Sequence, residues 1–217
     1  GNGWVADFWN QRRQTPSGSG AYLGGISGLG AITGVAIDSS GNVYVAFDFD
    51  TGPGNALRKY NSAFVLQWTQ SLTSGVFHYI ATDGTHLWIT DITGNKVHKR
   101  LCSTGAAVST FGASGTGNGQ FSGPQGIALD STYVYVADAG NNRVQKFLKS
   151  DGSYVTKWGT LGTGSANLNA PEGVALDASG DVWVADYGNS RLQRFSNTGT
   201  YQATISQSTP RGIASAP

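Results

Sequence analysis

The chain contains no methionine, one cysteine and six prolines, and only 12% of its 217 residues are charged. The lone cysteine, Cys102, excludes an internal disulfide, so no covalent staple can stand in for a hydrophobic core. With 14 Lys and Arg against 13 Asp and Glu, the formal charge of +1 leaves no global field to draw the protein onto nucleic acid or an anionic membrane. No run approaches the roughly 18 uninterrupted apolar residues of a spanning helix. The opening residues, GNGWVADFWNQRR, lack the basic-then-apolar layout of a secretory signal, and the chain as given is expected to be soluble. The absent methionine and the start in mid-pattern suggest a processed form or a segment of something longer. What is plentiful is glycine, 32 residues, beside a 39% hydrophobic share that suffices for a core. Richness in Gly, Ser, Thr and Asn with few charges suits an extracellular or periplasmic setting.

Self-similarity organises the rest. GPQGIALDSTYVYVADAGNNRVQ at 123–145 returns as APEGVALDASGDVWVADYGNSRLQ at 170–193. Looser versions run through the whole chain: TGVAID, HYIATD and RGIASA match the first run, and GWVAD, VYVAF and LWITD match the second. An aromatic residue marks the second run at Trp4, Tyr44, Trp88, Tyr135 and Trp183, 40 to 48 residues apart. A third run (QRRQT, ALRKY, KVHKR, RVQKF, RLQRF) and a fourth (AYLGGI, FVLQW, AVSTF, YVTKW, YQATI) complete each unit. Val, Ile, Tyr and Trp at period two, punctuated by DSSGN, DASGD, STG and NTG, predict four short antiparallel strands per unit. That is one propeller blade.

The sequence therefore predicts an all-β, five-bladed β-propeller of four-stranded antiparallel blades. Residues 1–30 with 209–217 form the first blade, and 31–74, 75–121, 122–168 and 169–208 form the others. PRGIASAP joined to GNGWVAD aligns with PEGVALDASGDVWVAD, so the terminal strands are expected to close the first blade, leaving no blade face in water. Small residues line the innermost strand: Ala36, Ala81, Ala128, Ala175 and Ala214 in one column, Gly34, Gly126, Gly173 and Gly212 in another.

The pattern P-x-G-[IV]-A-L-D followed by V-[YW]-V-A-D-x-G-N-x-R-[VL]-Q-[KR]-F, at 124–147 and 171–195, resembles the NHL repeat. The likeness is close in the last two units, recognisable in the first and degenerate in the second and third. It implies a propeller of four-stranded blades. The family spans RNA-binding and protein-binding modules, sensor ectodomains and a lyase that gathers metal-binding histidines from different blades, so membership leaves function open.

Candidate chemistry concentrates on the rim where first strands begin and second strands end. There the framework repeats but one column changes in every unit: Thr33, His78, Gln125, Glu172 and Arg211. Such a ring could grip a small polar ligand or a partner's side chain; alternatively Glu172 pairs with Arg211 and the rest are solvated. Farther out stands a basic column, Arg12, Lys96, Arg143 and Arg191, with Ala56 in the second unit. Asp138–Arg143 and Asp186–Arg191 fit turn staples, and a rim meeting phosphates or acidic surfaces is the other reading. Phe8, Trp9 and Tyr187 are placed to stack on a sugar or a partner, or to pack between loops. FDFDTGPGN at 47–55 has carboxylates at alternate positions but no terminal bidentate Glu, so an ordinary long turn is expected rather than a calcium loop. His78, His86 and His98 lie in one unit with two at opposite rims, so they cannot share a zinc ion. Neither a phosphate loop nor a nucleophile elbow appears.

These readings favour a non-catalytic binding or assembly module that recognises a protein, glycan or small polar partner through one face. The contacts would be Thr33, His78, Gln125, Glu172 and Arg211, with Phe8, Trp9, Tyr187, Arg143 and Arg191 outside them. No cofactor, metal, nucleic acid or membrane insertion is expected. A hydrolase or lyase using Glu172 or His78 is one alternative, and a structural subunit of an extracellular assembly another.

Overall fold

A computed structural model describes the backbone of residues 5–7, 12–16, 22–26, 31–50, 54–72 and 75–213, and the side chains of 32–47, 55–72 and 75–213. Strands dominate, with two single-turn 3-10 helices, Ala139–Asn141 and Tyr187–Asn189, among the described residues. Strands β1 (Val5–Asp7), β2 (Arg12–Pro16) and β3 (Tyr22–Ile26) form a three-stranded sheet. Four four-stranded sheets follow. Their strands are β4 (Ala31–Ile37), β5 (Val43–Asp50), β6 (Gly54–Tyr60) and β7 (Leu66–Ser71); β8 (Phe77–Thr82), β9 (His86–Asp91), β10 (Lys96–Leu101) and β11 (Ala107–Phe111); β12 (Pro124–Leu129), β13 (Tyr133–Asp138), β14 (Arg143–Leu148) and β15 (Tyr154–Trp158); and β16 (Pro171–Leu176), β17 (Val182–Asp186), β18 (Arg191–Phe195) and β19 (Tyr201–Ser206). Each sheet keeps chain order from inner to outer strand, as blades require.

One expectation is corrected. Among the described residues four sheets, not five, are four-stranded, and residues 211–213, expected to begin the closing strand, form no strand. Residues 214–217 lie outside the described ones. Residues 211–213 nevertheless run against β16, because a Cβ added to Gly173 would fall 2.5 Å from the Arg211 carbonyl oxygen and 3.1 Å from the Ile213 nitrogen. Within 47–55, β5 runs to Asp50 and β6 begins at Gly54, the two residues pairing, and residues 51–53 lie outside the described ones.

The chain divides into two compact units, Gly1–Trp88 with Lys99–Val108, and Ile89–His98 with Ser109–Pro217. In the first, Ile32, Val43, Val45, Phe47, Ala56 and Tyr60 are buried together. In the second, Tyr135, Val144, Trp158, Leu168, Val174, Val182, Val184 and Phe195 form the main cluster. At about 1.5–3 kcal/mol for each large apolar side chain removed from water, these clusters carry the folding free energy. Aromatic residues ending one blade's outer strand reach the next blade's third strand: Phe111 meets Phe147 at 4.8 Å between ring centroids, and Trp158 meets Phe195 at 6.1 Å.

A recurring aspartate, Asp38, Asp130 and Asp177, caps the turns between first and second strands. Asp38 Oδ1 accepts from the Ser40 and Asn42 amides, Asp130 Oδ1 from Thr132 and Tyr133, and Asp177 Oδ1 from Ser179 and Asp181. The second oxygen takes the polar tip of the aromatic column: Tyr44 Oη donates at 2.9 Å, Tyr135 Oη at 2.7 Å and Trp183 Nε1 at 2.9 Å. A third-strand cation then covers the ring, Lys59 on Tyr44, Lys146 on Tyr135 and Arg194 on Trp183. Burial, reinforced for Tyr135 by its bond to Asp130, pushes the phenols of Tyr44 and Tyr135 well above their ordinary range.

Candidate functional site

Bulges place the variable column. The ladder slips between Pro124 and Ile127 in β12, between Pro171 and Val174 in β16, and between Ile32 and Gly34 in β4. Gln125, Glu172 and Thr33 therefore stand in the irregular part of their strands, where a bulge can re-aim a side chain. The following glycine lets the next inner segment close in: a Cβ on Gly126 would overlap the Glu172 carbonyl oxygen, and one on Gly173 would crowd that of Arg211. Within the second unit Gln125, Glu172 and Arg211 thus occupy successive places on three neighbouring segments.

Within the first unit the same close approach joins Gly34 to the His78 carbonyl. Thr33 is turned inward there, its hydroxyl donating to the Phe77 carbonyl and 3.3 Å from that of Ala46, so it is a strand tie rather than a rim contact. His78 is half-buried beside Tyr79, with ring centroids 6.4 Å apart.

Glu172, Arg211 and Tyr187 form one cluster. Arg211 Nη1 lies 3.3 Å from Glu172 Oε1 and 3.4 Å from Oε2, its Nη2 donates to Tyr187 Oη at 3.0 Å, and its guanidinium carbon sits 4.5 Å from the Tyr187 ring centroid. The exposures differ sharply, 16% for the Glu172 side chain and 65% for that of Arg211. Burial raises the Glu172 carboxyl above the ordinary glutamate range, and Arg211 offsets part of that rise. Gln125 is half-buried. Phe8 and Trp9 lie outside the described residues.

Arg143 and Arg191, expected as outer contacts, are corrected to internal fasteners. Arg143 Nε donates to Asp138 Oδ2 at 2.7 Å, while Nη1 and Nη2 reach the carbonyls of Thr116, Gly117 and Gln120 at 2.7–2.8 Å. Arg191 repeats the pattern with Asp186 at 2.6 Å and the carbonyls of Thr163, Gly164 and Asn167. With side chains only 6% and 13% exposed, neither guanidinium has an edge to offer a partner. Each carboxylate also accepts from a loop amide, Ser122 or Asn169, and from an Asn and a Gln: Asn141 and Gln145, or Asn189 and Gln193. Sequence reasoning found the Asp–Arg pair and missed the glutamine. Its signal was a polar residue standing in the same column of both third runs, two places after the arginine.

The pattern D-x-x-N-x-R-x-Q that builds this fastener lies inside two stretches, 121–147 and 168–195, that match the NHL repeat. These two stretches are where the chain resembles the NHL repeat. In three dimensions it is similar to β-propeller proteins. A streptogramin B lyase superposes with a TM-score of 0.74 at 17% identity, covering 99% of this chain and 70% of that one. Virginiamycin B lyase from Staphylococcus aureus gives 0.73 at 16%, covering 100% and 71%. A functionally unknown protein from Desulfotomaculum acetoxidans gives 0.68 at 15%, covering 91% and 63%. At such identities the likeness speaks to fold. No curated protein matches the chain in sequence.

The other repeats vary this fastener. Asp7, Asn10, Arg12 and Gln14 follow the same spacing, and Asp7 pairs with Arg12 in register as Asp138 does with Arg143. In the second repeat Phe47 and Arg58 replace Asp and Gln, and the guanidinium sits 5.1 Å from the ring centroid. In the third, His98 takes the glutamine column with Nε2 3.4 Å from Asp91 Oδ2, and Lys96 is exposed where Arg143 is not. Cys102 is buried, its thiol pushed up by that burial and 3.3 Å from Thr82 Oγ1. Among the described residues no three His, Cys, Asp or Glu gather as a metal site would need, and no helix is long and apolar enough to cross a membrane.

Proposed function

We propose that this NHL-repeat protein is a binding or assembly module that recognises a protein, glycan or small polar partner through the rim carrying Gln125, Glu172, Arg211 and Tyr187, in an extracellular or periplasmic setting. One observation carries the reading. In two inner strands that otherwise match closely, PQGIALD and PEGVALD, the bulged position changes from Gln125 to Glu172, and there Glu172, Arg211 and Tyr187 bring together a half-buried carboxylate, an exposed guanidinium and an aromatic ring. Preorganisation supplies the mechanism: Gln125 and Glu172, on strands fixed by their neighbours, lose little freedom when a partner arrives. Composition supports the setting, because the chain is poor in charge and rich in glycine.

The test is a screen of the protein against peptide and glycan arrays, with Glu172→Gln and Tyr187→Ala alongside. A ligand held by the wild type and weakened at least about tenfold, near 1.4 kcal/mol, in both variants supports the reading. A ligand held equally by all three places recognition elsewhere. A second reading, a hydrolase or lyase, draws on the raised Glu172 carboxyl, which suits proton donation. Turnover of an arrayed substrate that disappears with Glu172→Gln would select it.

A further inference from the structure

We infer that Glu172 and Tyr187 form a receptor for a guanidinium group carried by a partner, and that Arg211 is its built-in occupant. The inference rests on the proposed rim and adds the chemistry of its ligand. Between the two closest repeats, two changes fall together: Gln125 in one corresponds to Glu172 in the other, and Ala139 to Tyr187. One supplies a carboxylate and the other a ring. Both border the place reached by Arg211.

The walls are rigid and the occupant is loosely held. Glu172 is fixed by the β16 bulge, which the backbone of residues 211–213 approaches too closely for any side chain at Gly173. Tyr187 opens a 3-10 turn directly after Asp186, whose carboxylate is bound by Asn169, Asn189, Arg191 and Gln193. Arg211, by contrast, lies in a segment without strand structure. Its contacts to Glu172, 3.3 and 3.4 Å, are long beside the 2.6 and 2.7 Å of the two internal Asp–Arg pairs. A carboxylate taken from water gains from any cation that replaces this one. A planar guanidinium can stack on the ring and reach both the phenol and the carboxylate, whereas an ammonium makes only point contacts, so arginine is the class of side chain favoured.

The experiment is an NMR titration with Nα-acetyl-arginine methylamide of the wild type, Arg211→Ala and Arg211→Gln, the two variants guarding against an idiosyncratic effect of either. Expected is saturable binding to both variants, at least tenfold tighter than to the wild type, with shifts centred on the amides of 172–173 and 187–188. Adding Glu172→Gln to Arg211→Ala should abolish it, and the lysine analogue should bind at least several-fold more weakly. Binding to the variants no tighter than to the wild type, insensitivity to Glu172→Gln, or equal uptake of the lysine analogue would each overturn the inference. If an arrayed ligand is lost on Glu172→Gln while Arg211→Ala takes up no arginine analogue, the rim stands as a recognition site and the occupant does not.

Discussion

Replacing Asp138 by alanine tests the organising role of the fastener. Its side chain is fully buried, and its two oxygens accept from the Ser122 amide, Asn141 Nδ2, Arg143 Nε and Gln145 Nε2. Alanine leaves the Arg143 guanidinium, 6% exposed, without its counter-charge. Breaking one side of such a pair costs about 3–5 kcal/mol. With a urea slope of roughly 2 kcal/mol per molar, a loss of about 4 kcal/mol moves the unfolding midpoint down by about 2 M. Arg143→Ala should cost less, about 2–3 kcal/mol, because Asp138 keeps three donors and the freed carbonyls of Thr116 and Gly117 lie on an exposed loop that water can reach. The double variant should cost less than the sum by at least about 1 kcal/mol, since the two side chains share one interaction. Hydrogen exchange should report the loss first at 112–124 and 138–145. A cost below about 1 kcal/mol for Asp138→Ala, or strict additivity, would refute the reasoning.

Gly126→Ala should destabilise by about 3 kcal/mol or more, read by urea unfolding, because its Cβ meets main-chain atoms of Glu172, Gly173 and Val174 that cannot turn aside. Ala170, at φ 45°, occupies the place that Gly123 fills at φ 60°; Ala170→Gly should be neutral or stabilising by up to about 1 kcal/mol, and Gly123→Ala should cost about that much, by thermal melts. Trp183→Phe removes the bond from Nε1 to Asp177 and should cost about 1 kcal/mol near neutral pH. That bond, more than the turn amides, holds the Asp177 carboxyl below the ordinary aspartate value. The stability it gives is complete above that ordinary value and drains away as pH falls through the depressed one, so the wild-type advantage over Trp183→Phe should shrink on acidification.

Period-two alternation and the recurring Asp and aromatic columns were enough to locate the four blades from 31 to 206, because each strand and turn is decided by residues close in sequence. The same columns did not disclose that Tyr44, Tyr135 and Trp183 hand their polar tips to Asp38, Asp130 and Asp177. A column shows which positions repeat, not which of them touch. Aligning RGIASA with EGVALD compares residue types alone, and residues 211–213 lie against β16 without forming a strand although the same column opens β12 and β16. At the rim, the difference between Gln125 and Glu172 was visible at once. That Thr33 turns inward while Arg211 settles on Tyr187 depends on bulge geometry and on a strandless segment, which carry no pattern of their own.

Arg143 and Arg191 grip their loops by main-chain oxygens. The fastening therefore does not depend on which side chains the loops carry at Thr116, Asn118, Thr163 and Ser165, all of them exposed. Evolution, or an engineer, can rewrite those four positions as one changes the bit in a drill chuck, giving the loops a new surface chemistry without renegotiating the scaffold's stability.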